Sequence, residues 1–437
     1  RCATCSARRF TGPAFTAALC GALAAGASPI LLHGETPPQE MLRYARQYSA
    51  RFVLNQWTND ENRMTNVAGR ELGHSSFSLD WLELHCTELA LDPQGPTFPV
   101  VAGATLPPAS GTTGRAKIAV RTAEQTFEEA RHYVETMQIT RHDRILCVVP
   151  MSHVYGFGVG FMVSLLSGAS LFTLRQFNPR TIPRALAEHE ITVFPAVPAM
   201  LGLLLRAGID DTTMPRLVLA AGAPLAEATG IAFHQQTRRH ITPLYGTTET
   251  GGITVAVGEE GVLATGCVGR PMEGVETRVA PIADAKELAP GVGRVLIRSS
   301  SMMSGYLTPQ GIGSSAIRDG WFETGDIGRL DERGRIQLVG REKEIINVFG
   351  MKVVPSEIEE VIATLAGVRE VKVYPGTHRS GTEIVKAVVA AEASVDVACL
   401  RAHCEENLPP YKRPQIISLV EALPRSPMGK IQRDKLP

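Results

Sequence analysis

Four short apolar runs, "RILCVVP" (144–150), "ASLFTL" (169–174), "ITVFPAVP" (191–198) and "RLVLAAG" (216–222), constrain this chain most. Each is rich in β-formers and bounded by Gly or Pro, so each reads as a buried strand. Helical patterns stand before and between them: "RTAEQTFEEARHYVETM" (121–137), "TIPRALAEH" (181–189) and "AMLGLLLRAG" (199–208). Alternation of strand and helix predicts parallel sheets covered by helices, an α/β architecture.

After Tyr245 the texture changes. "GVETRVAP", "GRVLIRSS", "GRIQLVG" and "EIINVFG" read as alternating strands with Gly-rich turns, a more antiparallel β-rich region over about 250–340. From about Glu344 a third pattern begins. "VPSEIEEVIATLAGV" predicts a helix with Ser356 as N-cap, Glu359 completing a capping box and Gly367 at its end. Strand patterns "REVKVYPG" and "EIVKAVVAAE" and a helix around "DVACLRAHCEENL" follow. The 437 residues exceed one compact core. The expected layout is a large domain over 1–340, a hinge at 341–343 and a small α+β domain over 344–437.

Lys plus Arg and Asp plus Glu number 44 each, so no global field points to nucleic acid or an anionic membrane. Any anion site must be local. Cys2 and Cys5 form a C-x-x-C, but no second pair or His cluster follows at zinc spacing. The eight scattered cysteines read as reduced thiols, and the expected location is the cytoplasm. "FTGPAFTAALCGALAAGASPILL", behind Arg8 and Arg9, imitates a targeting segment, but Gly12, Pro13, Gly21, Gly26 and Pro29 interrupt it. A small-residue helix leading into a buried strand "SPILL" explains it better, so no membrane span is expected.

One loop is built for anions. In "SGTTGRAK", Gly111 and Gly114 let the backbone turn and approach closely, Ser110, Thr112 and Thr113 add hydroxyls, and Lys117 adds charge. The spacing is not that of a Walker loop. "LYGTTETGG" (244–252) sets Glu249 after threonines and among glycines, and a carboxylate facing a phosphate loop suits Mg²⁺. Asp326 lies in a Gly-flanked turn of "GWFETGDIGRL", placed to accept from two ribose hydroxyls. Lys430 follows Gly429 in the polar tail "PRSPMGKIQRDKL". Each also has a plain structural reading: core for Tyr245, a turn cap for Asp326, a surface ion pair for Arg341, a solvated charge for Lys430 and a satisfied structural imidazole for His153.

Taken in order, these segments resemble the adenylate-forming superfamily, which includes acyl- and aryl-CoA synthetases, carrier-protein adenylation domains and luciferases. The resemblance rests on the phosphate loop, "VVPMSHVYGFG", "FPAVPAML", "AAGAPL", "YGTTETGG", "GCVGRPMEGVE", "GWFETGDIGRLDERGRI", "GREKEIINVFGMKVVPSEIEEVI" and "PRSPMGKIQRDKL". It departs at Ala116 and Ile118, where relatives usually have Pro and Gly, and in a short region before the loop.

The resemblance implies two half-reactions in one site. A carboxylate attacks the α-phosphorus of MgATP to give an acyl-adenylate and pyrophosphate. A thiol, of CoA or of the phosphopantetheine of an acyl carrier protein, then takes the acyl group and AMP leaves. Ser110, Gly111, Thr112, Thr113, Gly114 and Lys117 would hold the β- and γ-phosphates. Glu249 would bind Mg²⁺ and Thr248 would touch the α-phosphate. Tyr245, with Gly246 and Thr247 beside it, would lie against adenine opposite Gly222 and Ala223. Asp326 would take the ribose, backed by Arg341, and Lys430 would bridge the substrate carboxylate and the α-phosphate. Lys343 would hinge a mobile C-terminal lid whose Gly350 passes close to the pantetheine thread. His153 would shield the acyl site, and Tyr155, Phe194 and Ala221 would line the pocket.

That pocket is apolar. "FPAVPAML" offers no early Asp for an α-ammonium, which disfavours an amino acid. "HVYGFG" is similar both to aryl ligases, often H-x-Y, and to fatty acyl members, often Gly-Phe-Gly. The expected substrate is an aromatic acid of hydroxybenzoate or cinnamate type. The alternatives are a fatty acid, or transfer of the adenylate to a non-thiol nucleophile.

Overall fold

The structure is a computed structural model. It describes residues 2–6, 28–32, 52–55, 71–79, 82–89, 104–109, 117–174, 177–210, 214–258, 264–282, 288–348, 351–377, 383–425, 431–432 and 435–437. The chain divides into two compact units, Arg1–Glu276 with Ile297–Phe322, and Thr277–Leu296 with Glu323–Pro437.

A seven-stranded sheet centres the first unit. Its order is Arg270–Pro271, Gly251–Val255, Ile241–Thr247, Leu217–Ala220, Val193–Ala196, Arg144–Cys147 and Ser170–Thr173. The run from Ser170–Thr173 to Ile241–Thr247 is parallel throughout, and the last two strands are antiparallel. All four apolar runs of the sequence are strands of it. Parallel strands need crossover connections, and helices Ile182–Glu188, Pro198–Ala207 and Glu227–Thr237 supply them. One face packs Leu146, Phe194, Ala196, Val218 and Ala220 against Leu186, Leu201, Leu204 and Phe233. That unit also contains a five-stranded sheet from 2–6, 28–32, 52–55, 71–79 and 82–89, and a four-stranded sheet that includes Lys117–Val120 and Gly305–Thr308. The predicted strand "SPILL" is Ser28–Leu32, with Ile30 buried, whereas the helix expected before it lies outside the described residues.

Helix Ala123–Met137 begins with a capping box, in which Thr122 accepts from the Gln125 N–H and the Gln125 side chain accepts from the Thr122 N–H. Its buried face contains Thr126, Ala130, Tyr133 and Met137, and also a glutamate, Glu129. Opposite it, "GFGVGFM" (Gly156–Met162) winds as a wide π-helix, which the sequence pattern did not foretell.

Asp143 fastens the amino-terminal ends of three parallel strands. Its carboxylate accepts from Arg216 Nε at 3.0 Å and Nη2 at 3.1 Å, from Thr192 Oγ1 at 2.7 Å and from the Thr140 N–H at 2.9 Å. Burial pushes this carboxyl up, but those donors outweigh it and bring it down to about 2.

In the second unit, Asp326 to Leu330 of strand Trp321–Leu330 pair antiparallel with Ile336–Arg341, placing Asp326 opposite Arg341. Further along, Val368–Thr377, Glu383–Ala391 and Ile416–Val420 form a three-stranded sheet. Helices Pro355–Ala363 and Val397–Asn407 cover it through Ile358, Ile362, Leu400 and Cys404. One expectation fails here. The helix starts at Pro355 behind Val354, so Ser356 is not its N-cap. Proline pre-sets the first helical φ and needs no N–H, which makes Pro355 the natural start. The Ser356 hydroxyl instead donates to the Val339 carbonyl, and Glu359 accepts from the Val373 N–H at 2.8 Å and from Lys372 Nζ at 2.8 Å. Among the described residues, no helix is long and apolar enough to cross a membrane.

The Asp143 clamp makes stability pH-dependent. A carboxyl depressed from 3.8 to about 2 in the fold contributes about 2 kcal/mol above pH 4, and this is lost as pH falls through 2. Asp143→Asn should therefore cost about 2 kcal/mol in urea unfolding at pH 7 and flatten the decline between pH 4 and pH 2.

Candidate active site

Four segments of the sequence reading share one end of the parallel sheet. His153 and Tyr155 follow strand Arg144–Cys147, Val197 follows Val193–Ala196, Ala221 to Ala223 follow Leu217–Ala220, and Thr247 closes Ile241–Thr247. Ligands in open α/β sheets bind outside the carboxyl ends of such strands. The Ala221 N–H donates to the Ala196 carbonyl at 3.3 Å, which draws two of these loops together. Gly222 turns there at φ +85°, its missing Cβ position 3.8 Å from Val197 Cγ1. Gly222 and Ala223 are exposed and Ala221 is buried.

His153 is half-buried, and its Nδ1 accepts from the Tyr155 N–H at 3.3 Å. The Tyr155 ring is buried, and burial first, with the nearby Cys147 second, pushes its hydroxyl well above the ordinary tyrosine range. Burial likewise pushes the Cys147 thiol up to about 12, which makes it inert. Phe194 is buried in the core between the sheet and helix Pro198–Ala207.

Beside the sheet, the acidic loop is tightly keyed. Tyr245 is buried, a register shift follows between Tyr245 and Gly246, and the chain turns through exposed Gly246 and half-buried Thr247, Thr248 and Glu249. Thr247 and Thr250 hydroxyls lie 3.0 Å apart, and the Thr250 N–H donates to Thr247 Oγ1 at 3.2 Å. The Met303 N–H donates to the Glu249 carbonyl at 2.7 Å and Ser301 Oγ to the Thr250 carbonyl at 2.9 Å. Tyr306 donates its hydroxyl to Glu249 Oε1 at 2.7 Å, and Lys117, itself exposed, stands over the Tyr306 ring with Nζ 4.8 Å from the centroid.

Behind that loop lies an ion pair missed at the level of sequence. Arg121 Nη1 meets Glu129 Oε2 at 2.6 Å, with side chains only 2% and 1% exposed. Arg121 Nη2 also donates to the Ser301 carbonyl at 3.0 Å. Glycines make room for the carboxylate. A Cβ at Gly251 would fall 2.3 Å from Glu129 Cδ, one at Gly158 2.8 Å from Glu129 Oε1, and one at Gly252 2.6 Å from the Tyr133 ring. The available signal was a charged residue on the buried face of a helical pattern. Its partner could not be read from spacing.

In the second unit, Arg341 Nε meets Asp326 Oδ1 at 2.5 Å, the acid buried and the base 42% exposed. Arg341 thus pairs with a buried acid, while Asp326 lies in strand Trp321–Leu330 with its N–H donating to Thr324 Oγ1 at 3.0 Å. Lys343 is exposed in the short turn Glu342–Glu344. Ser110, Gly111, Thr112, Thr113, Gly114, Ala116, Gly350 and Lys430 lie outside the described residues, whereas Ile118 is a buried residue of strand Lys117–Val120.

The donor chemistry at Glu249 fits Mg²⁺. Its carboxylate is half-buried and accepts from the Tyr306 hydroxyl, and Mg²⁺ takes one or two carboxylates together with water and phosphate oxygens. Among the described residues, no group of three or more His, Cys, Asp or Glu could hold a metal ion.

Comparison with known proteins identifies the family and the fold. A family model described as AMP-binding enzyme matches residues 10–307, and one described as AMP-binding enzyme C-terminal domain matches 357–430. A 2-succinylbenzoate–CoA ligase of Listeria monocytogenes is 33% identical over 75% of this chain and 68% of its own length. A long-chain-fatty-acid–CoA ligase of Mycobacterium tuberculosis is 31% identical over 75% of this chain and 65% of its own. A ligase of Rhodococcus jostii for a methyl-dioxo-octahydroindenyl propanoyl group and CoA is 29% identical, and this chain covers 63% of it. The chain thus spans roughly two thirds of these relatives, and less than that of the last two. The fold is shared with ATP-bound MatB from Rhodopseudomonas palustris, at a TM-score of 0.82, 24% identity, and coverage of 99% of this chain and 87% of that one. It is also shared with O-succinylbenzoate coenzyme A synthetase from Bacillus subtilis in complex with ATP and magnesium, at a TM-score of 0.77, 21% identity, and coverage of 100% and 88%.

The glycine socket is directly testable. Gly251 has φ +73° and a blocked Cβ position, whereas Gly258 has φ +71° and nothing within 4 Å. Gly251→Ala should cost about 3 kcal/mol in urea unfolding, and Gly258→Ala about 1 kcal/mol from backbone strain alone.

Proposed function

The chain belongs to the AMP-binding enzyme family of adenylate-forming ligases, and from that premise we propose that it activates an aromatic carboxylic acid as its acyl-adenylate and passes the acyl group to the thiol of CoA. The observation that carries this reading is the placement of Glu249. It stands on a keyed loop beside the carboxyl ends of the parallel strands, joined through Tyr306 to Lys117.

The roles follow from chemistry that requires positioned charge more than an acid or base. Ser110 to Gly114, with Lys117, hold the terminal phosphates. Glu249 holds Mg²⁺, which when bound offsets phosphate charge. Thr248 meets the α-phosphate, and Tyr245 to Thr247 with Gly222 and Ala223 take the base. Asp326, oriented by Arg341, takes the ribose hydroxyls. Lys430 neutralises charge shared between the substrate carboxylate and the α-phosphate. Residues 344–437 act as a lid turning at Lys343, which withdraws Lys430 and brings Gly350 to the thiol path for the second half-reaction.

The acid enters among Tyr155, Val197 and Ala221, with His153 at the entrance and Phe194 in the core behind. Buried aromatic and small residues at these positions favour a flat apolar acid over an amino acid. A relative that acts on 2-succinylbenzoate supports the aromatic choice, and the relatives named as CoA ligases support CoA as acceptor.

An ATP–pyrophosphate exchange screen across benzoates, cinnamates and fatty acids should show exchange with an aromatic acid, and AMP release should then require CoA. Exchange with fatty acids alone would overturn the aromatic assignment, and CoA-independent AMP release would overturn the acceptor. Lys430→Ala should slow adenylation by roughly 10²–10³-fold and spare thiol capture from supplied acyl-adenylate. Equal loss in both half-reactions would remove the role given to Lys430.

A further inference from the structure

Tyr306 belongs to none of the motifs from which the site was built, yet it touches two of them. It lies in strand Gly305–Thr308, paired antiparallel with Lys117–Val120 so that Tyr306 faces Ala119. Its hydroxyl reaches Glu249 Oε1 at 2.7 Å while its ring lies under Lys117 Nζ at 4.8 Å. The backbone on its amino-terminal side is fixed to the same two elements: the Met303 N–H donates to the Glu249 carbonyl at 2.7 Å and the Ser304 N–H to the Val120 carbonyl at 2.9 Å. A phenol is protonated at neutral pH, so the Tyr306 hydroxyl is the donor to this carboxylate.

We propose that Tyr306 is a positioning residue that sets Lys117 and Glu249 as one unit for binding metal and nucleotide together. The proposal rests on the reading of Glu249 as the Mg²⁺ carboxylate. A carboxylate has about four acceptor sites, and one donated hydrogen bond fixes its rotation while leaving the others for a metal and its waters. Lysine is a flexible cation on a four-carbon stem, and an aromatic face beneath its ammonium narrows the positions it samples. The two halves of Tyr306 therefore have separable duties. The hydroxyl acts on the metal through Glu249, and the ring acts on the phosphates through Lys117.

The separation defines the test. The full chain is compared as wild type, Tyr306→Phe, Tyr306→Leu and Glu249→Gln, each first shown folded by circular dichroism. Mn²⁺ binding is read by electron paramagnetic resonance with α,β-methylene-ATP present, and metal-free binding of that nucleotide by calorimetry. Tyr306→Phe should weaken Mn²⁺ by roughly tenfold and leave metal-free nucleotide binding unchanged. Tyr306→Leu should weaken both. A Tyr306→Phe protein that binds Mn²⁺ like wild type overturns the proposal, as does a Tyr306→Phe protein that loses both affinities equally. If Tyr306→Leu fails to fold, the Tyr306→Phe pair of measurements decides alone. Wild-type affinity for Mn²⁺ in Glu249→Gln would sink the reading of Glu249 itself, a failure distinguishable from that of Tyr306.

Discussion

A single ion pair, Arg121 with Glu129, lies under the acidic loop and is almost fully withdrawn from water. Burying two charges costs several kcal/mol per ion unless geometry and further hydrogen bonds offset it. The offset here comes from the 2.6 Å contact and from the Ser301 and Gln125 carbonyls that accept from the same guanidinium. Such a pair fixes arrangement more than it adds stability, because each partner alone would be an uncompensated buried charge. The consequences spread through neighbouring segments. The carboxylate needs the space that glycines at 158 and 251 leave, so the π-helical turn and the acidic loop both approach the helix closely. Ser301 then passes the constraint on, through its hydroxyl to the Thr250 carbonyl.

The first unit thus has two differently built ends. At the amino-terminal ends of the strands, Asp143 gathers Thr140, Thr192 and Arg216 into a saturated clamp. At the carboxyl ends the groups are arranged otherwise: an exposed lysine over a tyrosine ring, a half-buried carboxylate, and exposed Gly222 and Ala223. A rigid sheet fastened at one end and carrying polar loops at the other suits chemistry in which positioned charge matters more than proton transfer.

Much of the scaffold was legible because local signals agreed. The four apolar runs had β-rich composition and Gly or Pro bounds, and the helices between them ended near Gly208 and His189 as their patterns indicated. Where legibility failed, a competing local signal or an interaction distant in sequence decided the outcome. Ser356 looks like an N-cap beside Glu359, but Pro355 starts the helix, and both side chains turn to partners 17 and 14 residues away. In "GFGVGFM", Gly158 and Gly160 let the backbone pass against Glu129 and Cys147, neither of which is near in sequence. Glu129 itself was visible only as an acid on an apolar helix face. Tyr306, 57 residues from Glu249, carried no local signal at all.

The Mg²⁺ concentration giving half-maximal ATP–pyrophosphate exchange in Glu129→Gln tests most directly whether this buried pair sets the acidic loop. That residue touches neither nucleotide nor metal in the proposed site. If the pair holds the loop in register, the folded variant should need about tenfold more Mg²⁺ than wild type, since a buried guanidinium left without its charge partner displaces the segment bearing Glu249. A folded Glu129→Gln protein with the wild-type Mg²⁺ requirement and rate would contradict the account.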